Sequence, residues 1–360
     1  MRFISWALRA IVDAEALNMA ESVGNYTRHR RAPMVYRKPS GGFGAVMVPA
    51  ISGQSIAHAY QALLAAMAER EGLPVCEKCK AGEFIKHSAK EVFGASQWEE
   101  KLKSLISGKG GVEALHAAEK LIVENCVVED VGGFLITEES LPAKRTSKAW
   151  FSYALPARAY LDASKLVAQM HVRHAPLTLA QQQERQEESG KAKKKEGGSE
   201  TKGQAIYYVE MGCGIYAFGG FVDLCAIGCT SLVRRECVSD AEKGNAVKRR
   251  ELALKALIAL LSNQLYGAKK SRSYPFATPI SAVFAVSEGV PFTVTPAHEA
   301  DYIIQTAKRA VKHAAATGSK VHVYYYVNET YEKVPDVPNA ERVETLEDLY
   351  EKLKPYAVCG

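Results

Sequence analysis

The chain contains three long stretches without an acidic residue, and these stretches constrain what its folded surface can be. They run from Ser22 to Ala68, from Ser140 to Leu161 and from Leu252 to Ser287. An acid-free stretch that carries arginines and lysines generates a positive field, which a polyanion can use and a protein core cannot. A solvated basic loop is the ordinary alternative. Because such a loop has no need to exclude acids over this span, the pattern favours a nucleic-acid-binding surface.

The start of the first stretch mixes cations with side chains that hydrogen-bond or stack, and we interpret it as a cationic loop. Its cations are Arg28, Arg30, Arg31, Arg37 and Lys38. Guanidinium groups hold phosphates and flat rings stack on bases, so this mixture suits single-stranded nucleic acid. The residues that we expect to bind RNA here are Asn18, Asn25, Thr27, Arg28, His29, Arg30 and Arg31.

A helix is predicted to begin directly after this loop, at Ser52-Gly53-Gln54-Ser55, and to run to about Arg70. A helix N-terminus exposes unpaired N–H groups, and a glycine there would let a phosphate approach the backbone. Ordinary capping explains Ser52 and Ser55 at least as well. Because the segment follows the cationic loop, we include Ser52, Gly53, Gln54 and Ser55 among the candidate phosphate contacts.

Gly267-Ala-Lys269-Lys270-Ser271-Arg272 lies in the third stretch, at the end of a long amphipathic helix. Cations at a helix C-terminus interact favourably with the macrodipole, which is the ordinary explanation. The cluster of Lys269, Lys270 and Arg272 beside a serine supports phosphate contact comparably well. The second stretch adds Arg145 to the candidate RNA-binding residues.

A predicted strand near position 170 places Gln169, His171 and Arg173 on one face, because alternate residues of a strand point the same way. We expect these side chains to contact RNA. His171 could instead support a loop through hydrogen bonds, or act as a general base in RNA cleavage. No second acid–base group stands out in the sequence, so we expect no catalytic residues.

The cysteines suggest a metal site but do not complete one. Cys76-Glu-Lys-Cys79 has the spacing of metal ligands, and His87 follows it. A structural zinc site usually has four ligands, and the sequence has no second C-x-x-C pair. Cys126, or Cys225 with Cys229, would complete the site only if folding brought them there. We therefore expect no metal and no other cofactor.

Composition indicates a protein that neither crosses a membrane nor is secreted. The chain has 360 residues and a formal net charge of +6, with no apolar run long enough for a membrane span. The start of the sequence lacks the features of a signal peptide. Eight cysteines without such a signal indicate a reducing cytoplasm.

The order of predicted elements indicates an α+β fold built on a ferredoxin-like (RRM-like) β-α-β-β-α-β unit. This unit would comprise residues 1–71 and 140–360, with a mostly helical subdomain inserted at 72–139. Residues 176–204 are low-complexity and cannot bury a core, so we expect a flexible loop there. The main elements are predicted at 3–13, 45–48, 52–70, 205–233, 241–265, 278–286, 298–316, 320–327 and 344–353.

Several motifs along the chain resemble the DevR-type CRISPR-associated proteins, the repeated backbone subunit of archaeal type I-A Cascade in the RAMP superfamily. The resemblance is strongest from Glu15 to Pro33 and spans most of the chain in order. The further matching motifs are Pro49-Ala-Ile-Ser-Gly-Gln-Ser, Asp130-Val-Gly-Gly-Phe, Arg145-Thr-Ser-Lys, Gln169-Met-His-Val-Arg, Gly267-Ala-Lys-Lys-Ser-Arg and Pro296-Ala-His-Glu-Ala-Asp-Tyr.

The resemblance implies a right-hand shape, with a ferredoxin-like palm, helical fingers at 72–139 and a thumb at 176–204. It implies a cytoplasmic protein that polymerises head to tail along CRISPR RNA, presents the spacer to target DNA and binds other Cascade subunits. Sequence recognition would then belong to base pairing, while the protein grips the backbone. Two alternatives remain: a metal-independent endoribonuclease that uses His171, and a structural subunit whose basic patches meet acidic partner surfaces.

Overall fold

The structure is a computed structural model that describes residues 1–108, 110–138, 142–174, 204–238, 246–264 and 266–359. The side chains of Arg173, His174, Gln204 and Ala205 are not described. The predicted contact of Arg173 and most of the predicted thumb therefore lie outside the described residues. Gln204, which the prediction assigned to the thumb, is the first residue of a strand.

Strands form the larger part of the described fold. In chain order they are β1 (Arg2–Glu15), β2 (Met19–Val23), β3 (Tyr26–His29), β4 (Arg31–Arg37), β5 (Phe43–Pro49), β6 (Phe134–Leu135), β7 (Lys144–Arg145), β8 (Ala149–Phe151), β9 (Leu155–Pro156), β10 (Lys165–His174), β11 (Gln204–Asp223), β12 (Phe276–Glu288), β13 (Lys320–Val327) and β14 (Glu341–Val343). The α-helices are α1 (Gly53–Arg70), α2 (Glu77–Lys80), α3 (Gln97–Ser107), α4 (Val112–Asn125), α5 (Val127–Gly132), α6 (Ala246–Asn263), α7 (Tyr302–Thr317) and α8 (Asp348–Leu353).

The main sheet is organised around β1. This strand pairs antiparallel with β11 on one side and with β12 on the other, and β13 extends the sheet beyond β12. Since β11 and β12 are both antiparallel to β1, they run parallel to each other and are joined by α6, a split β-α-β arrangement. The expected α+β class is confirmed.

Both faces of β1 are covered, which explains its nearly continuous apolar sequence. Ile4, Trp6 and Leu8 belong to a core that also contains the buried sides of α1 and α6. Ala7 faces a second core formed with the buried side of α7. The sheet is thus a central layer between helices, and several candidate RNA-binding residues lie on β3 and β10, which pair with the first half of β11 in the same sheet.

The segment that we interpreted as a cationic loop is largely strand. It forms β2, β3 and β4, and β4 pairs antiparallel with β5. Val209 of β11 lies opposite Thr27 of β3 in a short parallel pairing, while β10 pairs with the same part of β11 from the other side. Besides the neighbouring β2, β3 pairs with β11. Because β11 is remote in sequence, local sequence patterns do not reveal this second pairing.

Helices α2 to α5 lie in the inserted segment, in agreement with its predicted helical character. The apolar sides of α3 and α4 share a separate core with the neighbouring β6 segment, and its buried members include Leu102, Ile122 and Phe134. The buried residues of α2 and α5, such as Cys79 and Val128, belong to the main core. Whether this segment acts as a finger subdomain stays a prediction.

Four of the cysteines form disulfides, Cys225–Cys359 and Cys229–Cys237. The sequence-based prediction of a reducing cytoplasm does not anticipate these disulfides, because structural disulfides are uncommon in that compartment outside hyperthermophiles. Among the described residues, no helix combines the length and apolar character that crossing a membrane requires.

Candidate nucleic-acid interface

Three of the predicted phosphate-binding segments meet at Leu17 and Asn18, a pair that we call the junction. The carbonyl oxygen of Leu17 accepts a hydrogen bond from the Ala268 N–H at 2.7 Å. The carbonyl oxygen of Asn18 accepts one from the Arg30 N–H at 2.7 Å. The Oδ1 of Asn18 accepts a third from the Ser52 N–H, also at 2.7 Å. The junction therefore joins the cationic segment, the start of α1 and the loop after α6.

Exposed polar and cationic side chains lie beside the junction. Gln54, Lys269 and Arg272 are exposed, and Ser55 and Lys270 are half-buried. Neither Lys269 nor Arg272 forms an ion pair with another described residue. The first turn of α1 contains no acid, so its N-terminal field is not offset there. This combination of cations and a helix N-terminus can hold phosphate groups.

Two of the residues predicted at the start of α1 have structural roles instead. Ser52 is buried, and its hydroxyl accepts a hydrogen bond from the Ser55 N–H at 3.3 Å, which is ordinary N-terminal capping. Gly53 is also buried, and a Cβ placed on it would lie 2.3 Å from the Phe151 carbonyl oxygen. The glycine is required for packing against β8, and the predicted phosphate contact at Ser52 and Gly53 stays a prediction.

Two arginines of the first stretch form ion pairs with acids that lie outside it. Arg28 pairs with Glu21 at 3.1 Å, and Arg31 pairs with Glu210 at 2.7 Å. Glu210 also accepts hydrogen bonds from the Tyr26 hydroxyl at 3.1 Å and from a backbone N–H at 2.9 Å. These residues line a cleft of about 520 Å³. The expected positive field is therefore offset in part, at Arg28 and Arg31, and both arginines remain exposed.

His29 is buried and forms an ion pair with Glu15, with 2.7 Å between Nε2 and Oε1. Burial alone would lower the pKa of His29, but pairing with Glu15 outweighs burial and raises it. Burial would raise the pKa of Glu15, but His29 and hydrogen bonds from the Leu17 N–H and the Tyr216 hydroxyl hold it below its ordinary value. His29 therefore anchors β3 to β1, and its side chain is buried in this structure and not exposed as an RNA ligand would be.

The remaining candidates of this stretch differ in how accessible they are. Asn25 is exposed and donates a hydrogen bond to the Ile206 carbonyl oxygen at 3.1 Å. The half-buried Thr27 lies 3.3 Å, hydroxyl to hydroxyl, from Ser22. Arg30 is half-buried, and its Nε has no hydrogen-bond partner within the described ranges. An unpartnered buried N–H can donate a hydrogen bond to a ligand oxygen, so Arg30 remains a candidate.

Gln169 and His171 lie on a different face from Arg28. Gln169 is opposite Val209, which is itself opposite Thr27, so these side chains share one face of the three-stranded region. Arg28 follows Thr27 on β3 and therefore points to the other face. The His171 ring stacks on Tyr207, with 5.3 Å between ring centroids and 17° between planes. The structure thus groups Thr27, Gln169 and His171 and separates them from the cleft.

Arg145 is buried within the protein, and its predicted contact with RNA is wrong for this structure. Its guanidinium pairs with Glu119 at 3.0 Å and with Asp130 at 2.5 Å, and all three side chains are fully buried. It also donates hydrogen bonds to the carbonyl oxygens of Ala226 and Cys229. Asp130 also pairs with the buried Arg249. The second acid-free stretch therefore supplies an internal ion network at this point.

Sequence reasoning missed the acids that organise this surface. Glu21 immediately precedes the first acid-free stretch, and this position was an available signal for its pairing with Arg28. Glu210 stands alone between apolar and aromatic residues of β11. A buried carboxylate in such a strand requires a partner, but the sequence does not indicate which one.

Comparisons with known proteins agree along nearly the whole chain. The family described as CRISPR-associated negative auto-regulator DevR/Csa2 matches residues 6–307. A relative from Saccharolobus solfataricus, "CRISPR-associated aCascade subunit Cas7/Csa2 2", is 33% identical over 98% of this chain and 99% of its own length. "CRISPR-associated protein Cas7/Csa2 1" of the same organism is 31% identical over 82% of this chain and 81% of its own.

The fold also has a solved counterpart. A chain of the structure described as "CRISPR RNA-guided surveillance complex, pre-nicking" aligns with a TM-score of 0.52 at 12% identity, over 99% of this chain and 100% of that chain. At this identity the match supports the fold alone. The family match and the two relatives confirm the resemblance seen in the sequence motifs, and this chain belongs to the DevR/Csa2 family of CRISPR-associated proteins.

Proposed function

We propose that this chain is a CRISPR RNA-binding backbone subunit of a type I-A Cascade effector complex. Copies of it polymerise head to tail along the guide spacer and present the spacer for pairing with target DNA, while other Cascade subunits bind the assembly. The β1–β11–α6–β12 region serves as a ferredoxin-like palm in this proposal. Support comes from a relative that is described as an aCascade subunit and matches nearly the whole chain.

The observation that carries the proposal is the meeting of three polar segments at the junction. The backbone N–H groups of Arg30, Ser52 and Ala268 all donate to Leu17 or Asn18. Around this point Gln54, Lys269 and Arg272 are exposed. Groups of this kind contact phosphates irrespective of base, as a subunit that leaves sequence recognition to base pairing requires.

The ribonuclease alternative receives less support. The His171 ring stacks on Tyr207, and its Nε2 has no hydrogen-bond partner among the described residues. A general base must lie within hydrogen-bond reach of the proton that it removes and is normally oriented by a neighbouring group. We therefore propose that His171 contacts RNA without cleaving it.

The test uses the purified full-length protein with labelled single-stranded RNAs of increasing length. Complex size is measured by light scattering and electron microscopy, and strand integrity by denaturing gel. Wild type is compared with His171→Ala and with His322→Ala, an exposed histidine on β13 that serves as the control. We expect complexes that grow with RNA length, intact RNA throughout and at most weakened binding by His171→Ala.

Three outcomes would change the assignment. RNA that is cleaved by wild type and spared by His171→Ala would establish the ribonuclease. Complexes of one size on every RNA would contradict head-to-tail polymerisation, because an interface that does not close should extend along a longer track. RNA binding that does not respond to salt, or no binding at all, would favour a subunit whose basic surface meets acidic proteins.

A further inference from the structure

Three cysteines and a glutamate lie together in the interior at the base of the inserted helices. Cys76, Cys79, Cys126 and Glu129 are all buried, and one ligand atom from each lies within 4.8 Å of every other. We propose that these four residues form a structural zinc site. The sequence left open whether folding would bring Cys126 to the C-x-x-C pair, and the structure places both Cys126 and Glu129 beside it.

The distances between these atoms match tetrahedral coordination. With Zn–S bonds of about 2.3 Å and Zn–O bonds of about 2.0–2.2 Å, tetrahedral angles place two sulfurs about 3.8 Å apart and a sulfur and an oxygen about 3.6 Å apart. The Sγ atoms of Cys76 and Cys126 are 3.6 Å apart. The Cys76 Sγ and the Glu129 Oε1 are 3.4 Å apart. These two distances match a zinc ion bound by Cys76, Cys126 and Glu129, and the Cys79 ligand atom lies within 4.8 Å of the other three.

The second oxygen of Glu129 is an independent indication of a ligand. This Oε2 is buried and has no hydrogen-bond partner in the described part of the chain. A buried carboxylate oxygen without a partner is costly. A metal ion bound through Oε1, the oxygen that lies 3.4 Å from the Cys76 Sγ, would offset the cost of burying the charged carboxylate. Oε1 also lies 2.6 Å from the Nδ1 of His87.

His87 has the position of a group that orients a metal ligand. Its Nδ1 contacts Glu129, and its Nε2 lies 3.1 Å from Glu99 Oε1. Carboxylate ligands are commonly held by such outer hydrogen bonds, which fix their orientation. The backbone of His87 has φ of +44°, a conformation uncommon for residues other than glycine. The contacts with Glu129 and Glu99 would maintain the imidazole in this orientation.

The ligand set indicates zinc more than other common metals. Sulfur-rich sites closed by four protein groups are typical of structural zinc, whereas magnesium and calcium prefer oxygen ligands. The proposed ligands lie on two separate segments: Cys76 and Cys79 at α2, and Cys126 and Glu129 at the start of α5. The Val127 N–H also donates to the Pro74 carbonyl oxygen at 2.9 Å. Zinc would thus cross-link α2, near the start of the inserted segment, to α5, near its end.

A disulfide is the competing fate of these thiols. Cys76 and Cys126 are close enough to react under oxidising conditions, and the chain contains disulfides elsewhere. A disulfide would use two of the three sulfurs and leave the buried Glu129 carboxylate without a metal ion to offset its charge. The experiment must therefore distinguish zinc from cysteine oxidation.

The test measures metal in the full-length protein, purified without chelators under mild reduction and dialysed extensively. Plasma mass spectrometry should find about one zinc per chain in wild type. Cys79→Ser and Cys126→Ser should lose most of it. Cys213→Ser is the matched control, because Cys213 is a free cysteine outside the cluster, and it should retain the zinc.

A second readout uses wild type alone, in case a cysteine variant does not fold. Thiol titration of the native zinc-bound protein should modify Cys213 and spare Cys76, Cys79 and Cys126 until a chelator removes the metal. Chelation should also lower the melting temperature, and added zinc should restore it. Metal-free wild type, with or without a Cys76–Cys126 disulfide in the intact mass, would overturn the proposal. Zinc that persists in both cysteine variants would also overturn it.

Discussion

Arg145 and Lys269 both come from acid-free stretches, and the structure places them in opposite environments. Arg145 is buried between Glu119 and Asp130, whereas Lys269 is exposed beside the junction. The absence of acids nearby in sequence therefore does not show that a cation is uncompensated. It shows only that any compensating acid must come from another part of the chain. The fold determines whether such an acid lies close enough to form an ion pair.

The largest effect should follow from replacing the buried member of this pair. Arg145→Met would leave Glu119 and Asp130 buried without their partner, which should lower the free energy of unfolding by about 3–5 kcal/mol. Lys144→Met is the matched control, because Lys144 is the exposed neighbour on β7 and should change stability by less than about 0.5 kcal/mol. Urea unfolding measures both, and equal effects would contradict the assigned burial.

A smaller effect should follow from the buried His29–Glu15 pair, through pH. The pKa of His29 is raised above its ordinary 6.5, so its contribution is complete below pH 6.5 and is lost as pH rises through the folded value. The pKa of Glu15 is lowered below its ordinary 4.5, so its contribution exists above pH 4.5 and is lost as pH falls through the folded value. The pair should stabilise most between these limits.

His29→Gln tests this dependence above pH 6.5. The decline of wild-type stability with rising pH should become shallower in the variant, by at most about 1.4 kcal/mol per pH unit. His58→Gln, at an exposed position on α1, should keep the wild-type slope. The measurement is the free energy of unfolding of each variant as a function of pH. If His29→Gln keeps the wild-type pH dependence above pH 6.5, the pair does not titrate as described.

Sequence patterns predicted the elements whose signals are local. The strand predicted at 320–327 coincides with β13, and the helix predicted at 52–70 nearly coincides with α1. The β2–β3–β4 region was missed, because its strands depend on pairing with β5 and with the distant β11. The RNA-binding candidates follow the same rule. Gln54 and Lys269 are exposed as expected. Arg145 is buried instead, because it forms ion pairs with Glu119 and Asp130 inside the protein.

The exposed ion pairs offer the smallest effect. Glu21→Gln should release Arg28 for phosphate and tighten RNA binding by at most about fivefold, because exposed pairs contribute about 0.2–1 kcal/mol. Glu341→Gln is the control. Glu341 is an exposed acid on the far strand β14, and it forms an ion pair with Lys352. Titration with labelled RNA measures both variants. Weaker binding by Glu21→Gln would show that Arg28 requires this pairing to reach RNA.

The most direct test of the junction as an RNA site is the salt dependence of RNA affinity after Lys269→Ala and Arg272→Ala are combined. The matched control combines Lys308→Ala and Lys312→Ala, two exposed lysines on α7. Loss of two phosphate contacts should weaken binding about tenfold at low salt and reduce the log–log slope by about 1.4 for a single strand. The control should keep the wild-type slope. An unchanged slope in Lys269→Ala/Arg272→Ala, or equal losses in both pairs, would contradict the account.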